Sequence, residues 1–485
     1  MRCFFRPAPS WEQEEWFAER LASAPSGRST SGMMVPRRLS LSMTAAIISL
    51  VLLPACTGAH RPGRLSGKPV PATTTTVPGI SPHSIVVGTH QPITGSGAPG
   101  GDEVSPATAA FFSYVNARGG VFGRTIVDKV ADDASGPSQA SDAIRHLVLD
   151  EGVFAILNGL GTATHAAVEA FLNAEKVPDL FAGSGCTCWN NPSFPWTTGW
   201  QPDYTIEGKV LGTFVTQYLK AHSAVTRVAY VYENDTLGNQ GVSGLDQEID
   251  PSTVATRQSY QSATGSIADA TPVVSSLESS GAQVVVVFAD AQLTAITLEA
   301  AADASYHPLF VVDSAGSDPN TLTALLSTYG AGGRSAYGPG ASPQTIETGI
   351  VSDAYLPVPA DTSNPWIGLF KRIHDEYIPN LDFDTNVIYG MAVGYTFYAL
   401  LEAAGPDPTR SGVMATLGTA NLDGPGLTPF AFSPSSHQGM TGAQIVTDSA
   451  GVLEPSGPVY VTGDRGGVSV YTGTSPGPPP SLSTS

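Results

Sequence analysis

Short runs of apolar, β-branched residues alternate with longer amphipathic or alanine-rich stretches along most of the chain. Strands of this kind, each followed by a helix, form parallel sheets whose two faces are covered by helices. The series restarts near residue 205, and the sequence therefore predicts an α/β protein with two doubly wound parallel-sheet lobes. The predicted strands are 85–88, 125–133, 154–157, 179–181, 227–232, 284–288 and 309–312.

The two ends of the chain have a different composition. Residues 57–83 are rich in proline, glycine and threonine, and from Gly473 onward the chain is almost entirely serine, proline, glycine and threonine. Such segments bury too little apolar surface to offset the entropy lost on ordering. We therefore predict a flexible tether at 57–83, a disordered tail at 466–485 and a folded body between them.

An export signal precedes the tether. Residues 1–32 contain four glutamates and lack a sustained apolar run, whereas Met33 and Met34 are followed by two arginines and an apolar run over 39–53. That run suits a signal peptide and is short for a membrane span, which needs about 20 residues. We therefore predict that residues 1–32 are a mis-assigned extension and that 33–56 is a signal peptide.

The signal ends in Leu-Pro-Ala-Cys at residues 53–56, which resembles a bacterial lipobox. In that motif the cysteine is acylated and becomes the mature N-terminus, although Pro54 departs from the usual residue. The resemblance implies that Cys56 anchors an extracytoplasmic protein to the cell membrane through lipid. An ordinary signal peptide with a chance cysteine is the alternative.

Charge and cysteine content narrow the class of protein. The chain has 42 acidic against 23 basic residues and a formal charge of −19, which argues against nucleic-acid binding because phosphates require clustered cations. If Cys3 is never translated and Cys56 is lipidated, Cys186 and Cys188 remain. In an oxidising compartment this even remainder predicts a disulfide.

Several motifs occur in the order typical of one family. Ile85–Gly88 is followed by Gln-Pro-Ile-Thr-Gly at 91–95, and the stretch from Phe111 to Gly123 contains Asn-Ala-Arg-Gly-Gly-Val-Phe-Gly. Asp132-Asp133, the loop 159–162, Gly238, Tyr389 and Ala-Ala-Gly at 403–405 come at the matching later places. Together, over roughly 84–460, they resemble the type I periplasmic binding proteins of branched-chain amino-acid ABC transporters.

This resemblance implies two lobes joined by three crossovers, with a small ligand, an amino acid or small organic acid, in the cleft between them. Lobe 1 would comprise 84–204 and 354–430, and lobe 2 would comprise 205–353 and 431–465. It also implies an ABC permease as partner, no cofactor, no metal and no enzymatic activity. A ligand sensor of the same fold that signals to a membrane partner is the alternative, and a secreted α/β enzyme is a third.

Two glycine-hydroxyl loops are the candidate ligand site in lobe 1. Gly161 and Thr162 follow the third strand, and Gly183 and Ser184 follow the fourth. Backbone N–H groups at the start of a helix, together with hydroxyls, suit a carboxylate, and in amino-acid binders of the family these loops hold the ligand's carboxylate and ammonium. Alternatively, the glycines only form turns and Thr162 caps its helix.

Acids at strand ends are the candidates from the facing lobe. Asp235, Asp290 and Asp313 follow successive predicted strands, and Asp313 is the one that we expect to meet a cationic group. Each could instead be a helix cap. The aromatic segment containing Trp189, Phe194, Trp196, Trp200 and Tyr204 either lines an apolar pocket or packs around a long loop.

One apparent cofactor motif does not fit its context. Residues 95–100 match the Gly-x-Gly-x-x-Gly dinucleotide fingerprint, but Pro99 and Gly101 lengthen the loop. The acids Asp132 and Asp133 also come later in the chain than that fold places its ribose-binding acid. Together with the export signal, these departures argue against a dehydrogenase.

Overall fold

The computed structural model describes residues 76–260, 269–331 and 342–474, together with 477–479 and 482. The strands are β1 (Ser84–Gln91), β2 (Thr125–Asp132), β3 (Ile156–Leu157), β4 (Asp179–Leu180), β5 (Val228–Glu233), β6 (Val254–Tyr260), β7 (Val284–Phe288), β8 (Leu309–Val312), β9 (Val351–Ala354), β10 (Gly442–Asp448), β11 (Leu453–Val461) and β12 (Ser469–Val470). The helices are α1 (Ala98–Ala117), α2 (Pro137–Leu149), α3 (Thr162–Ala174), α4 (Tyr204–Ala221), α5 (Thr236–Glu248), α6 (Thr271–Ser280), α7 (Ala291–Asp303), α8 (Pro319–Ala331), α9 (Pro343–Glu347), α10 (Pro365–Tyr377), α11 (Thr385–Ala404) and α12 (Arg410–Leu417).

Lobe 1 is built on a four-stranded parallel sheet in the order β2-β1-β3-β4. Helices α1, α10, α11 and α12 pack in the apolar core on one face, and α2 and α3 pack in the core on the other. Helix α11 is apolar on nearly every side because it lies in the centre of the first core. The sheet therefore has both faces covered, as the sequence predicted.

Lobe 2 is built on an eight-stranded sheet in the order β12-β11-β10-β9-β8-β7-β5-β6. The five strands from β9 to β6 are parallel, and β7 (Val-Val-Val-Val-Phe) is buried along its whole length between β5 and β8. Helices α6, α7 and α8 cover one face, and α4 and α5 cover the other. This half of the sheet has the predicted doubly wound arrangement.

The other end of the lobe 2 sheet differs from the prediction, because β10, β11 and β12 run antiparallel to their neighbours. Strands β10 and β11 are joined by a tight turn in which Ser449 N–H donates to the Val452 carbonyl. A turn of that length can join only antiparallel strands, since parallel neighbours need a long crossover.

The folded structure extends beyond both of the boundaries that the sequence predicted for the folded body. Val77 and Ile80, placed by the sequence in the tether, pack against the lobe 1 core. Strand β12 lies in the segment predicted as a disordered tail, and Tyr114 OH donates to the carbonyl of Leu482, which is buried. A few apolar residues inside Pro/Gly-rich segments are sufficient for docking once a partner surface exists.

The predicted division between the lobes also changes near residue 431. Phe432 and Met440 pack with the lobe 1 core, although the sequence assigned 431–440 to lobe 2. Phe430 and Phe432 stack with ring centroids 5.2 Å apart, and Phe430 also contacts Trp200. This aromatic packing holds the segment on lobe 1 until the chain enters β10.

Candidate functional site

A cavity of about 980 Å³ lies between the two lobes. Its walls are the loops that follow the carboxyl ends of the strands in both sheets, where open α/β sheets generally bind ligands. Of the ligand-binding candidates Gly161, Thr162, Gly183, Ser184, Tyr204, Asp235, Asp290 and Asp313, all but Asp313 line it.

Three hydroxyl groups meet on one wall of this cavity. Thr162 Oγ1 lies 2.8 Å from Ser184 Oγ and 3.1 Å from Tyr204 OH, and Ser184 Oγ lies 3.3 Å from Tyr204 OH. Burial raises the pKa of Tyr204, so the phenol is a proton donor rather than an anion. Thr162, Ser184 and Tyr204 are called the hydroxyl cluster below.

The hydroxyl cluster lies at the N-terminus of α3. Gly161, the residue before the helix, has φ +101°, a conformation that side chains rarely adopt, and no side chain caps the helix. The N–H groups of the first turn have no partner within the helix, and the helix dipole makes this end partially positive. This wall can therefore accept one negatively charged group through hydroxyls and backbone N–H donors.

The predicted acids Asp235 and Asp290 line the cavity as helix caps. Asp235 Oδ1 accepts from Gly238 N–H at 3.1 Å at the start of α5, and Asp290 Oδ1 accepts from Leu293 N–H at 2.9 Å at the start of α7. The capping alternative considered for these residues from the sequence is thus observed. One oxygen of each carboxylate is already engaged.

Asp313 does not line the cavity, which corrects its predicted position. It is fully buried, and its Oδ1 accepts from Ala289 N–H at 3.0 Å. The short 3-10 turn after β8 places Ser314 and Ala315 at the wall instead. Asp313 faces two other buried acids, Glu207 on α4 and Asp353 on β9, which the sequence did not single out.

Glu207, Asp313 and Asp353 are called the acidic cluster. Glu207 Oε2 accepts from Ser314 Oγ at 3.0 Å, whereas no side chain among the described residues donates to the carboxylate of Asp353. Asp353 is 2% exposed and lies in the cavity wall. Burial and then the neighbouring carboxylates raise the pKa of all three acids.

A second buried network lies behind the hydroxyl cluster in lobe 1. His90 Nδ1 is 2.6 Å from Asp133 Oδ2, His90 Nε2 is 3.0 Å from His165 Nδ1, and His165 Nε2 is 3.1 Å from Asp179 Oδ2. All three contacts can be hydrogen bonds only if the network holds three protons, one more than two neutral imidazoles carry. We call these four residues the histidine–aspartate chain.

The sequence offered no local signal for the histidine–aspartate chain. The two histidines are 75 positions apart, and the sequence analysis assigned neither a role. The signal that existed is Gly159, where a Cβ atom would lie 2.4 Å from both His165 Nδ1 and His90 Nε2. Glycine at this place lets the loop after β3 run directly over the two rings.

The aromatic segment after β4 mostly packs inside the protein. Trp189 meets the His165 ring edge-on, and Trp200 contacts Tyr355 and Tyr389. Tyr355 and Tyr389 line the cavity together with Tyr204, whereas the tryptophans do not. The pocket-lining alternative therefore applies to Tyr204 alone of that segment.

Cys186 and Cys188 are joined by a disulfide. The loop that they close approaches lobe 2, where the Gln240 amide of α5 donates to Thr187 Oγ1 at 2.9 Å and lies 3.7 Å from Cys186 Sγ. Cys56 lies outside the described residues. In the part of the chain that the structure describes, no group of three or more histidine, cysteine, aspartate or glutamate side chains is arranged to hold a metal ion.

The two lobes also contact each other through residues that line the cavity. Thr385 Oγ1 donates to Asp318 Oδ2 at 2.5 Å, and Gln292 Nε2 donates to the Ser96 carbonyl at 2.5 Å. These contacts join α11 and the loop after β1 in lobe 1 to the loop before α8 and to α7 in lobe 2. Both walls are thus held close enough for one small molecule to contact them together.

Comparison with known proteins gives a consistent result. A family model described as periplasmic binding protein matches residues 84–451. The chain is 28% identical over 216 residues to Leu/Ile/Val-binding protein homolog 3 of Brucella melitensis, and the match covers 41% of this chain and 53% of that protein. The chain thus aligns with about half the length of this curated relative.

Solved structures share the fold at low sequence identity. A fatty acid ABC transporter substrate-binding protein from Thermomonospora curvata has a TM-score of 0.66 at 19% identity, covering 80% of this chain and 95% of that one. A branched-chain amino acid transporter substrate-binding protein from Streptococcus pneumoniae, solved with isoleucine, has a TM-score of 0.63 at 14% identity, covering 78% and 99%. The two proteins are named for chemically different ligands.

Proposed function

Because the chain belongs to the periplasmic binding protein family, we propose that it captures a small amino-acid-like solute in the cavity between its lobes and delivers it to an ABC permease. The observation that carries this proposal is the hydroxyl cluster at the uncapped N-terminus of α3. It lies in a cavity to which both lobes contribute.

The ligand's carboxylate would accept hydrogen bonds from Thr162, Ser184 and Tyr204 and from first-turn N–H groups of α3. Bonds to a charged acceptor are about twice as strong as neutral ones, so a carboxylate would gain more here than an amide. A cationic group would face the lobe 2 wall, where Asp235 and Asp290 lie. Since only the closed form lets both walls contact the ligand, binding would shift the protein toward closure.

We also propose that the protein is a lipoprotein of the extracytoplasmic face, acylated at Cys56, with translation starting at Met33 or Met34. A lipid anchor would keep the binding protein close to its permease. Intact-mass analysis of the membrane fraction tests this, and the expected product begins at an acylated Cys56. A soluble product that retains residues before Cys56 contradicts it.

Titration calorimetry on the full-length chain in detergent tests the solute-binding proposal. The panel pairs amino acids with their amides and includes a small aromatic acid and a fatty acid. We expect binding of an amino acid and loss of that binding in its amide, because the amide removes the charge that the hydroxyl cluster would accept. Equal binding of acid and amide, or binding of the fatty acid alone, contradicts the proposal.

A further inference from the structure

The histidine–aspartate chain connects elements of all four strands of the lobe 1 sheet. Asp133 directly follows β2, His90 lies in β1, His165 lies on α3 after β3, and Asp179 lies in β4. The strands are in the order β2-β1-β3-β4, so the hydrogen bonds run across the sheet from one edge to the other. All four side chains are buried. A link that lost its proton would therefore be left without a donor inside the protein.

The chain needs a third proton besides the one that each neutral imidazole carries, and the hydrogen-bond partners assign its position. Burial lowers the pKa of His90, so this ring is neutral and its proton lies on Nδ1, which donates to Asp133. His90 Nε2 then accepts from His165 Nδ1. The third proton therefore lies between His165 Nε2 and Asp179. With this proton the chain carries one net negative charge, and without it two.

The third proton lies beneath the loops that carry the hydroxyl cluster. A Cβ atom at Gly159 would lie 2.4 Å from both His165 Nδ1 and His90 Nε2, so the backbone of this loop rests directly on the two rings. Gly183 N–H donates to the Gly159 carbonyl at 2.9 Å, and Gly161 N–H donates to the Gly183 carbonyl at 3.1 Å. The two rings therefore position both glycine-hydroxyl loops together.

The other charged groups that face these rings are acidic. They are Asp133 from the loop after β2, Asp179 from β4 and Glu169 from the next turn of α3. Burial, and then Asp179, raise the pKa of Glu169 to about 7. Trp189 meets His165 edge-on and brings no charge. Among the described residues no lysine or arginine pairs with Asp133 or Asp179, so the third proton is the positive charge of the chain.

Resting on the proposed function, we propose that the histidine–aspartate chain positions the carboxylate site and that its third proton couples ligand capture to pH. With this proton every link has a donor, the Gly159 loop is held in place, and the protein behind the hydroxyl cluster carries less negative charge. Without it, one link brings two lone pairs together and opens, so the loop loses its support. The protonated chain is therefore the form that holds a carboxylate tightly.

The coupling has a defined direction. A bound carboxylate favours the protonated chain, because a negative charge beside the loop opposes loss of the proton. Binding and protonation then strengthen each other by the same factor. Ligand affinity is highest below the pH at which the ligand-free chain loses its third proton, and it falls as the pH rises through that value. In the same range, capture of the ligand takes up a proton from solvent.

L-Leucine and L-lysine are the probes for this coupling, because the α-carboxylate and α-ammonium groups of both stay charged between pH 5 and pH 8. Calorimetry on the full-length chain in detergent measures affinity across this range, and two buffers of different ionisation enthalpy count the protons taken up. For a probe that binds, we expect the affinity to fall roughly tenfold to hundredfold from pH 5 to pH 8, as for one charged interaction. We also expect proton uptake on binding.

His90→Asn is the diagnostic variant, because its amide can still donate to Asp133 but does not titrate and does not reach His165. Its affinity should stay nearly constant across the pH range, close to the value of the parent at pH 8. His146→Asn is the matched control, since His146 is a surface histidine with a side chain that is 61% exposed, and it should follow the parent. Glu169→Gln should also keep the fall. A fall that is lost in Glu169→Gln alone overturns the assignment to the histidines.

NMR of the histidine ring nitrogens in the parent protein gives an independent reading, should His90→Asn fail to fold. The ring nitrogens of His90 and His165 should titrate together, and their midpoint should lie at higher pH in the protein saturated with the bound probe than in the free protein. The midpoint of His146 should not move. Equal midpoints for the chain in both samples overturn the coupling.

The outcomes separate this inference from the proposed function. If leucine or lysine binds with an affinity that does not change between pH 5 and pH 8, the proton coupling is overturned and amino-acid capture remains. If neither binds at any pH in this range, the proposed function itself fails. A fall of affinity with pH that survives unchanged in His90→Asn overturns the role given to the histidine–aspartate chain.

Discussion

The two buried polar networks beside the cavity differ in the side chains that surround their carboxyl groups. In lobe 1 the carboxylates of Asp133 and Asp179 each contact an imidazole, and the two imidazoles contact each other. In lobe 2, Glu207, Asp313 and Asp353 lie close to one another, and among the described residues no lysine, arginine or histidine side chain pairs with them. Both networks are nearly inaccessible to solvent.

The difference indicates which of the two networks is held together by hydrogen bonds between its own side chains. A buried polar network whose members all have partners is rigid, whereas one with missing partners carries a free-energy cost until something supplies them. The histidine–aspartate chain therefore supports the loop of Gly159, and through it the hydroxyl cluster at α3. The carboxyl groups of the acidic cluster lack such a partner, and burial together with the neighbouring carboxylates raises their pKa.

Disrupting the histidine–aspartate chain should have the largest effect on the free energy of unfolding. His90→Ala leaves Asp133 buried without its 2.6 Å partner and removes the contact to His165, so we expect a loss of about 3–5 kcal/mol in the free energy of unfolding. Urea denaturation at pH 7 measures it. His146→Ala is the control, because His146 pairs with Asp150 at the surface and is 61% exposed.

For His146→Ala we expect the free energy of unfolding to change by about 0–1 kcal/mol. If His90→Ala costs no more than His146→Ala, the histidine–aspartate chain does not stabilise lobe 1 in the way described here.

The acidic cluster should make the free energy of unfolding depend on pH. Burial raises the pKa of Glu207 in the folded protein, so between its ordinary pKa and the folded value the folded state holds a proton that the unfolded state has released. Stability therefore decreases as pH rises through that range, by about 1.4 kcal/mol per pH unit for one proton. Urea denaturation of the ligand-free protein from pH 5 to pH 8 measures this slope.

Other buried acids add to the slope, since burial also raises the pKa of Glu347 to about 8 and of Asp128 to about 7. The contribution of the acidic cluster is the part that Glu207→Gln removes. The exposed Glu376→Gln should leave the slope as in the parent. A slope that is unchanged in Glu207→Gln would refute a raised pKa at that residue.

The hydroxyl cluster can be tested by a nearly isosteric change. Thr162→Val removes one hydroxyl donor to the ligand's carboxylate, so we expect roughly tenfold weaker binding of the amino acid found by calorimetry and little change in the free energy of unfolding. Thr328→Val is the control, because its hydroxyl bonds the Ala324 carbonyl on the exposed side of α8. Parent-like binding by Thr162→Val and Ser184→Ala together would show that the carboxylate lies elsewhere.

An effect of similar size is expected for the disulfide. Replacing Cys186 and Cys188 by serine opens a ring that spans one intervening residue, and the chain-entropy model gives about 1.5 kcal/mol for so short a loop. Mass spectrometry of the peptide containing both residues, after alkylation without reductant, should find neither labelled. Labelling of both in the native protein would contradict the disulfide.

Local sequence was sufficient for the features that depend on periodicity and on chain neighbours. Fully apolar strands such as β7 and the capping aspartates before α5 and α7 can be recognised because their partners lie a few residues away. The glycine-hydroxyl loops were found in the same way, and the family motifs placed both lobes. These features determined the α/β fold and one wall of the cavity.

The tertiary structure alone decided which distant groups meet. His90 and His165 are brought together by adjacent parallel strands and α3, and Glu207 and Asp353 by the packing of α4 on β9. Tertiary packing also placed Asp313 behind the cavity wall and drew Phe432 to lobe 1. The charge that a ligand meets depends on which side chains become desolvated neighbours, and sequence spacing carries no record of that.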